Sequence, residues 1–105
     1  MKIEDEISKE VQGEVNFDPT LVLIILQILI TLAKLYFSCP KKDLHQNRLR
    51  PSWLQTWRIR AIVKRQLNKN GFSQYNETVF KSIYNRILTM PDSQIDEALI
   101  YYHKD

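Results

Sequence analysis

Hydrophobic residues form one long run, and elsewhere along the chain they recur at helical spacing. The run covers residues 21–37, LVLIILQILITLAKLYF, and only Gln27, Thr31 and Lys34 interrupt it. Asp18 and Pro19 precede it as a helix cap and a first helical residue. A helix over residues 20–37 would be roughly 27 Å long, just short of the roughly 30 Å hydrocarbon core of a bilayer. From this pattern we expect a helix that is apolar all round and has no solvent-facing side.

Shorter apolar stripes predict four further helices. One precedes Gly13, and the other three follow Pro51, separated by Asn70-Gly71 and by Met90-Pro91. Asn76 is expected to cap the second of these three, and Asp92 or Ser93 to start the last. The predicted stripes are Ile3, Ile7, Val11 and Val15; Ile59, Ile62, Val63 and Leu67; Val79, Phe80, Ile83, Ile87 and Leu88; and Ile95, Leu99 and Tyr102.

These elements predict an all-α protein with one long apolar helix and a small C-terminal module of about three amphipathic helices. The expected segments are an acidic N-terminus (1–18), an apolar anchor helix (19–38), a basic linker (39–50) and the helical module (51–105). The module alone is near the lower size limit for independent folding. No segment has the alternation of a strand, and no internal repeat is present.

The long helix has three candidate burial sites: a bilayer, a bundle of its own copies, or a groove on a larger protein. A core within this chain alone is the least favoured, because the C-terminal helices are not expected to cover every face. Gln27 needs hydrogen bonds in an apolar setting, so we expect another chain to supply its partner. The predicted anchor residues are Leu21, Ile24, Ile25, Gln27, Ile28, Leu32 and Leu35.

Charge is distributed as an acidic, a basic and a mildly acidic block. Residues 1–18 carry six acids against Lys2 and Lys9, whereas residues 19–70 carry ten Lys and Arg against Asp43 alone. Such a basic block suits phosphates, anionic lipids or an acidic protein surface. If the apolar helix spans a bilayer, the basic residues after it predict a cytoplasmic C-terminus.

The first helix of the C-terminal module combines aromatic and basic residues. Arg58, Arg65 and Lys69 fall close together on one face, away from the apolar arc, and are candidates for phosphate contact. Trp53 and Trp57 could stack on bases, pack into a core, or sit in a membrane-interface belt. The sequence leaves these alternatives open.

Catalytic and metal-binding patterns are missing from the sequence. Cys39 is the single cysteine, and His45 and His103 have no ligand-type neighbours at metal spacing. With only Gly13 and Gly71, the chain has no glycine-rich phosphate loop. We therefore expect a protein that is not an enzyme and that has no cofactor.

The layout resembles small accessory proteins of tailed bacteriophages. The stretches that carry the resemblance are EDEISKEV, LVLIILQILITLAKLYF and RPSWLQTWRIRAIVKRQL, an acidic segment, an apolar helix and a basic helical module. Virion structural proteins of the head, portal or tail would bury the apolar helix in the assembly, and holin-like proteins would place it in the host membrane.

The leading hypothesis is a structural subunit of a large assembly, most simply a virion. It would be anchored through its apolar helix into a homo-oligomer or a larger viral protein, with nucleic acid as a further candidate partner. The alternative is a single-pass membrane protein with a basic, cytoplasmic C-terminus.

Overall fold

The computed structural model describes residues 3–13, 18–37 and 56–103. About 90% of this part is helical and contains no strand, which confirms the all-α class. The α-helices are α1 (Ile3–Gln12), α2 (Pro19–Phe37), α3 (Thr56–Lys69), α4 (Asn76–Ile83) and α5 (Asp92–His103). A 3-10 turn, Ser73–Tyr75, precedes α4, and a π-helical segment, Tyr84–Leu88, follows it. The predicted linker 39–50 lies outside the described residues.

The start of α2 follows the predicted capping chemistry. The Asp18 carboxylate accepts a hydrogen bond from the backbone N–H of Thr20 at 2.9 Å, and Pro19 is the first helical residue. The backbone N–H of Asp18 donates to the Gln12 side chain at 3.0 Å. This bond joins the end of α1 to the start of α2, so the two helices are tied where the chain passes between them.

One side of α2 is buried along its whole length. The buried side chains are Leu21, Ile24, Ile25, Ile28, Leu29, Leu32, Ala33 and Tyr36. The opposite side is solvent-facing, with Thr20, Leu23, Gln27 and Lys34 exposed and Thr31 half-buried among them. Spacings of three, four and seven residues put this stripe on one helix face. The prediction of a helix without a solvent-facing side is therefore wrong.

Four of the helices form a bundle around one core. Helix α1 packs against α2 and α4, and α3 also packs against α2 and α4, so α1 and α3 occupy opposite corners. Helix α5 packs along α2 and covers more of its apolar side. Helices α1 and α5 both contribute to the burial of α2, so its apolar side is covered within this chain, whereas the face with Leu23 and Gln27 is not. The predicted anchor helix and C-terminal module thus share one core.

A buried hydrogen bond and two partly exposed ion pairs join α1 to the rest of the bundle. Tyr102 on α5 donates a 2.6 Å hydrogen bond to the carboxylate of Glu4, and both residues are almost completely buried. Arg86 in the π-helical segment contacts Glu6 and Glu10, each at 2.9 Å. Only Ile7 of α1 is a fully buried hydrophobic residue. These polar contacts therefore supply much of what fixes the position of α1.

The end of α3 follows the prediction, whereas the start of α4 does not. Gly71 has φ +84°, its N–H donates to Asn68, and the Phe72 N–H donates to Leu67, which together form a Schellman C-cap after α3. Asn76 is the first residue of α4 and its side chain makes no capping hydrogen bond; its amide group donates to Asn68 Oδ1 at 3.1 Å. The predicted cap at Asn76 is therefore wrong.

The predicted helix over residues 76–90 changes geometry part-way. Its second half is the π-helical segment, across which Ile83 and Ile87 both remain fully buried. The stripe predicted for α5 is confirmed, since Ile95, Leu99 and Tyr102 are all buried.

Truncation of α2 on its two sides should have unequal consequences for stability. Ile25 is fully buried and Leu23 is 61% exposed. We expect Ile25→Ala to lower the free energy of unfolding by about 2–5 kcal/mol, because it leaves a cavity in the core. Leu23→Ala, the matched control on the same helix, should change it by less than about 0.5 kcal/mol. Urea denaturation followed by circular dichroism measures both, and equal losses would contradict the self-contained core.

Removing the Tyr102 hydroxyl should destabilise the fold. We expect Tyr102→Phe to cost about 1–3 kcal/mol, because the buried Glu4 carboxylate loses a charge-assisted hydrogen bond. Glu4→Gln and the double variant complete a thermodynamic cycle. A coupling energy near zero would mean that the bond does not tie α1 to α5.

The same contact should make stability fall at alkaline pH. Burial, reinforced by the hydrogen bond to Glu4, raises the pKa of Tyr102 far above its ordinary value of 10.0. Because the pKa of Tyr102 is higher in the folded than in the unfolded state, this stabilisation is fully present below about pH 10, the unfolded-state value. It is lost as the pH rises from there toward the folded-state pKa. The stability difference between wild type and Tyr102→Phe should therefore shrink above about pH 10. A difference that stays constant between pH 8 and pH 11 would contradict this.

Candidate nucleic-acid interface

Helix α3 presents a basic surface on the outside of the bundle. Its sequence, TWRIRAIVKRQLNK, contains five basic residues and no acidic residue. Ile59, Val63 and Leu67 recur every four residues and are buried, which orients the helix. The exposed side chains are therefore those on the far side of α3, and they include Trp57, Arg58, Lys64, Arg65 and Lys69.

The three residues predicted to contact phosphate lie on one stripe. Arg58, Arg65 and Lys69 are seven and four residues apart, within about 40° of one another around the helix axis, and span about 16 Å along it. All three are exposed, and within the described part of the chain none of them forms an ion pair. Their charges are therefore not neutralised there by a neighbouring carboxylate.

The remaining arginine of α3, Arg60, has a structural role. Its guanidinium forms an ion pair with Glu77 on α4 and lies 4.3 Å from the centre of the Phe80 ring. The bond to Arg60, together with the nearby charges of Arg60, Lys81 and Lys64, lowers the pKa of Glu77. Arg60 thus fixes α3 against α4 and is not part of the free basic stripe.

An open groove lies beside the basic stripe, between α2 and α3. It has a volume of about 470 Å³ and is lined by Thr20, Leu23, Ile24, Gln27, Gln66, Lys69 and Asn70. Lys69 belongs to both the groove and the stripe. The polar side of α2 therefore continues the exposed surface of α3, instead of contacting a further helix.

The acidic residues of α1 lie at the opposite corner of the bundle. Arg86 brings together Glu6 and Glu10, which are one turn apart on α1. The Ser82 hydroxyl and the Arg86 guanidinium lower the pKa of Glu10, although Ser82 approaches the carboxylate without a complete hydrogen bond. Glu6 and Glu10 are therefore paired with Arg86 at this corner, whereas the stripe of Arg58, Arg65 and Lys69 has no ion pair within the described residues.

Most of the residues that were predicted to anchor the apolar helix in a partner are buried in the core of this chain. Leu21, Ile24, Ile25, Ile28 and Leu32 are buried, and Leu35 is half-buried. A partner could reach the buried ones only if the bundle opened. Gln27 is exposed on the surface of this chain, and the prediction that a second chain supplies its hydrogen-bond partner stays a prediction.

The two tryptophans differ in what can be said of them. Trp57 lies at the start of α3 with 66% of its surface exposed. It does not pack into the core, which excludes one of its three predicted roles. Trp53 lies outside the described residues, as do Cys39 and His45.

The role of the α2 side chains could have been found in the sequence by projection. The only residues that interrupt the apolar run, Gln27, Thr31 and Lys34, all fall on one helix face. A single polar stripe of this kind is typical of a core helix with one wet side. The high hydrophobic content of the run hides this polar stripe when the residues are read in order along the chain.

Catalytic and metal chemistry have no candidate in the described residues. No group of three or more His, Cys, Asp or Glu side chains there is arranged to hold a metal ion. His103 is exposed, and its ring lies 4.8 Å from that of Phe37. The surface of α3 is thus the strongest candidate site in the part of the chain that the structure describes.

Comparison with known proteins gives no relative for this chain: no family model, curated protein or solved structure matches it.

Proposed function

We propose that this protein is a non-enzymatic accessory subunit that binds the phosphate backbone of a nucleic acid through α3. The observation that carries the proposal is the stripe of Arg58, Arg65 and Lys69, exposed on a helix without acidic residues. Lysine and arginine that neutralise phosphates release counterions, and this release drives association. The core beneath α3 holds the three cations in a fixed row.

The α3 stripe occupies only one side of the bundle, which leaves room for a second partner. A nucleic acid would meet α3, and the rest of the bundle surface would be left for contacts with protein. Such an arrangement suits a subunit of a large assembly, in contact with its own copies or with larger proteins. That the assembly is a virion rests on the resemblance in layout to phage accessory proteins.

A second candidate function is that of a single-pass membrane protein with a cytoplasmic C-terminus. The observation in its favour is that α2, with a mean hydropathy of 2.2, is long and apolar enough to cross a membrane. Against it, 44% of the 18-residue apolar segment within α2 is buried inside the chain. Insertion would therefore require α1, α3 and α5 to leave α2.

Reversing the charge of the α3 stripe should abolish most of the salt dependence of nucleic-acid binding. We expect the triple variant Arg58→Glu, Arg65→Glu and Lys69→Glu to bind more weakly. The slope of log K against log salt should be about 2–3 units shallower than in wild type. Fluorescence anisotropy with a labelled 20-nucleotide strand and a 20-base-pair duplex, at several salt concentrations, measures it.

The matched control reverses three lysines elsewhere on the surface. Lys9→Glu, Lys34→Glu and Lys81→Glu together change the net charge by the same amount, and all three side chains are exposed. This control should keep most of the slope, because its charges lie outside the stripe. If both triple variants lose the same affinity, net charge alone explains binding and the α3 interface is wrong.

One substitution separates the soluble bundle from the membrane protein. Gln27 is exposed in the bundle yet lies near the middle of the apolar run, so Gln27→Lys should leave the stability of the bundle unchanged. In a bilayer the added charge would cost about 2.5–3.5 kcal/mol. We expect wild type and variant alike in the soluble or particle fraction after carbonate extraction. Wild type in the membrane pellet, with the variant released from it, would establish the membrane alternative.

A further inference from the structure

We propose that the nucleic acid bound by α3 is single-stranded, and that Trp57 is the surface on which an unpaired base stacks. This inference rests on the proposed function and adds to it the class of strand and a residue that contacts the bases. It is argued from the exposure of one indole ring and from the side chains around it.

The exposure of Trp57 is unusual for its residue type. Tryptophan is highly buried on average because its large ring loses much by contact with water. Here two-thirds of the residue is exposed although Ile59, two positions later, is buried in the core. The core is therefore formed without this indole, and its ring is available to a ligand.

Among the described residues, the helix surface on the C-terminal side of Trp57 is open. The residue one turn further along the same face is Ala61, which is exposed and carries only a methyl group. No large side chain at that position competes for the space beside the indole. A flat ligand can therefore lie against the ring and the helix surface together.

Cations flank this open surface on two sides. Projected at 100° per residue, Lys64 lies within about 20° of Trp57, and the stripe of Arg58, Arg65 and Lys69 begins about 80° around the helix. A base stacked on Trp57 would thus have its own phosphate and the next ones within reach of positive side chains. An aromatic platform within a basic groove or surface is the arrangement by which proteins hold single strands.

A duplex fits this surface less well than a single strand. In a duplex each base is stacked on its neighbours, and inserting a side chain between them costs a few kcal/mol per step. An unpaired base presents its ring face without that cost. The indole would therefore contribute to binding of a single strand and remain unused on a duplex.

The amides near this surface are already engaged within the chain. Asn68 Oδ1 accepts the hydrogen bond from Asn76, and the Asn70 side chain donates to the Gln66 carbonyl at 2.7 Å. Neither amide is free to form the paired hydrogen bonds that read an adenine edge. We therefore expect binding with little preference for base sequence.

The experiment compares strands and Trp57 variants. Wild type should bind a 20-nucleotide oligo-dT or oligo-rU about 10-fold or more tightly than a 20-base-pair duplex at the same salt concentration. Trp57→Ala should remove this preference by weakening only single-strand binding, and Trp57→Phe should restore part of it. The two oligonucleotides also distinguish DNA from RNA as the preferred strand.

Trp57 fluorescence supplies a second readout. Stacking should quench the emission of wild type on addition of oligo-dT, and the quench should be lost in Trp57→Phe, where Trp53 is the remaining indole. The control variant Ile100→Ala removes another exposed hydrophobic residue, 47% exposed on α5, and should leave the preference and the quench unchanged. Circular dichroism confirms that each variant is folded.

The outcomes separate this inference from the proposed function. Equal or tighter binding to the duplex, with salt dependence that still requires the α3 stripe, would overturn the single-strand inference and leave the proposed function intact. If the wild type shows no salt-dependent binding to any of the nucleic acids tested, both the single-strand inference and the proposed function are overturned. Quenching by vesicles of anionic lipid, without quenching by either oligonucleotide, would also overturn both and identify α3 as a membrane-surface helix.

Discussion

Burial of one broad apolar arc on α2 is the constraint on which the rest of this structure depends. The arc runs the length of a nineteen-residue helix and is too wide for a single neighbour to cover. Helices α1, α3 and α5 all pack against it, and α4 completes the bundle by packing against α1 and α3. The directions in which the outer surfaces of these helices face are therefore consequences of covering α2.

Helix α1 covers part of the apolar arc of α2 although few of its own hydrophobic side chains are buried. Ile7 is its one completely buried hydrophobic side chain, so hydrophobic contact alone fixes it weakly. The bond between Tyr102 and Glu4 closes the bundle across almost the entire chain length. A buried carboxylate is tolerated there because the phenol supplies a hydrogen bond that water would otherwise supply.

The position of the candidate site on the outside of α3 follows from the same packing. Once Ile59, Val63 and Leu67 face the core, helical geometry places Arg58, Arg65 and Lys69 together on the outside. Arg60, on the side of α3 that faces α4, is instead taken up by Glu77 and Phe80. The sequence pattern places the three residues on one face of a helix, but it could not separate them from Arg60, which is engaged by a neighbouring helix. That separation depends on which helix lies next to α3.

The sequence by itself determined the local structure: the helical class, the cap at Asp18, the glycine stop at Gly71, and the apolar stripes of α3 and α5. These features depend on residues within a few positions of one another. Only the tertiary structure decided which helices bury the apolar side of α2, and that the side-chain amide of Asn76 bonds to Asn68 of the preceding helix. Each of these outcomes depends on contacts between residues distant in the chain. Such contacts follow from how several apolar faces cover one another, a property that no local pattern contains.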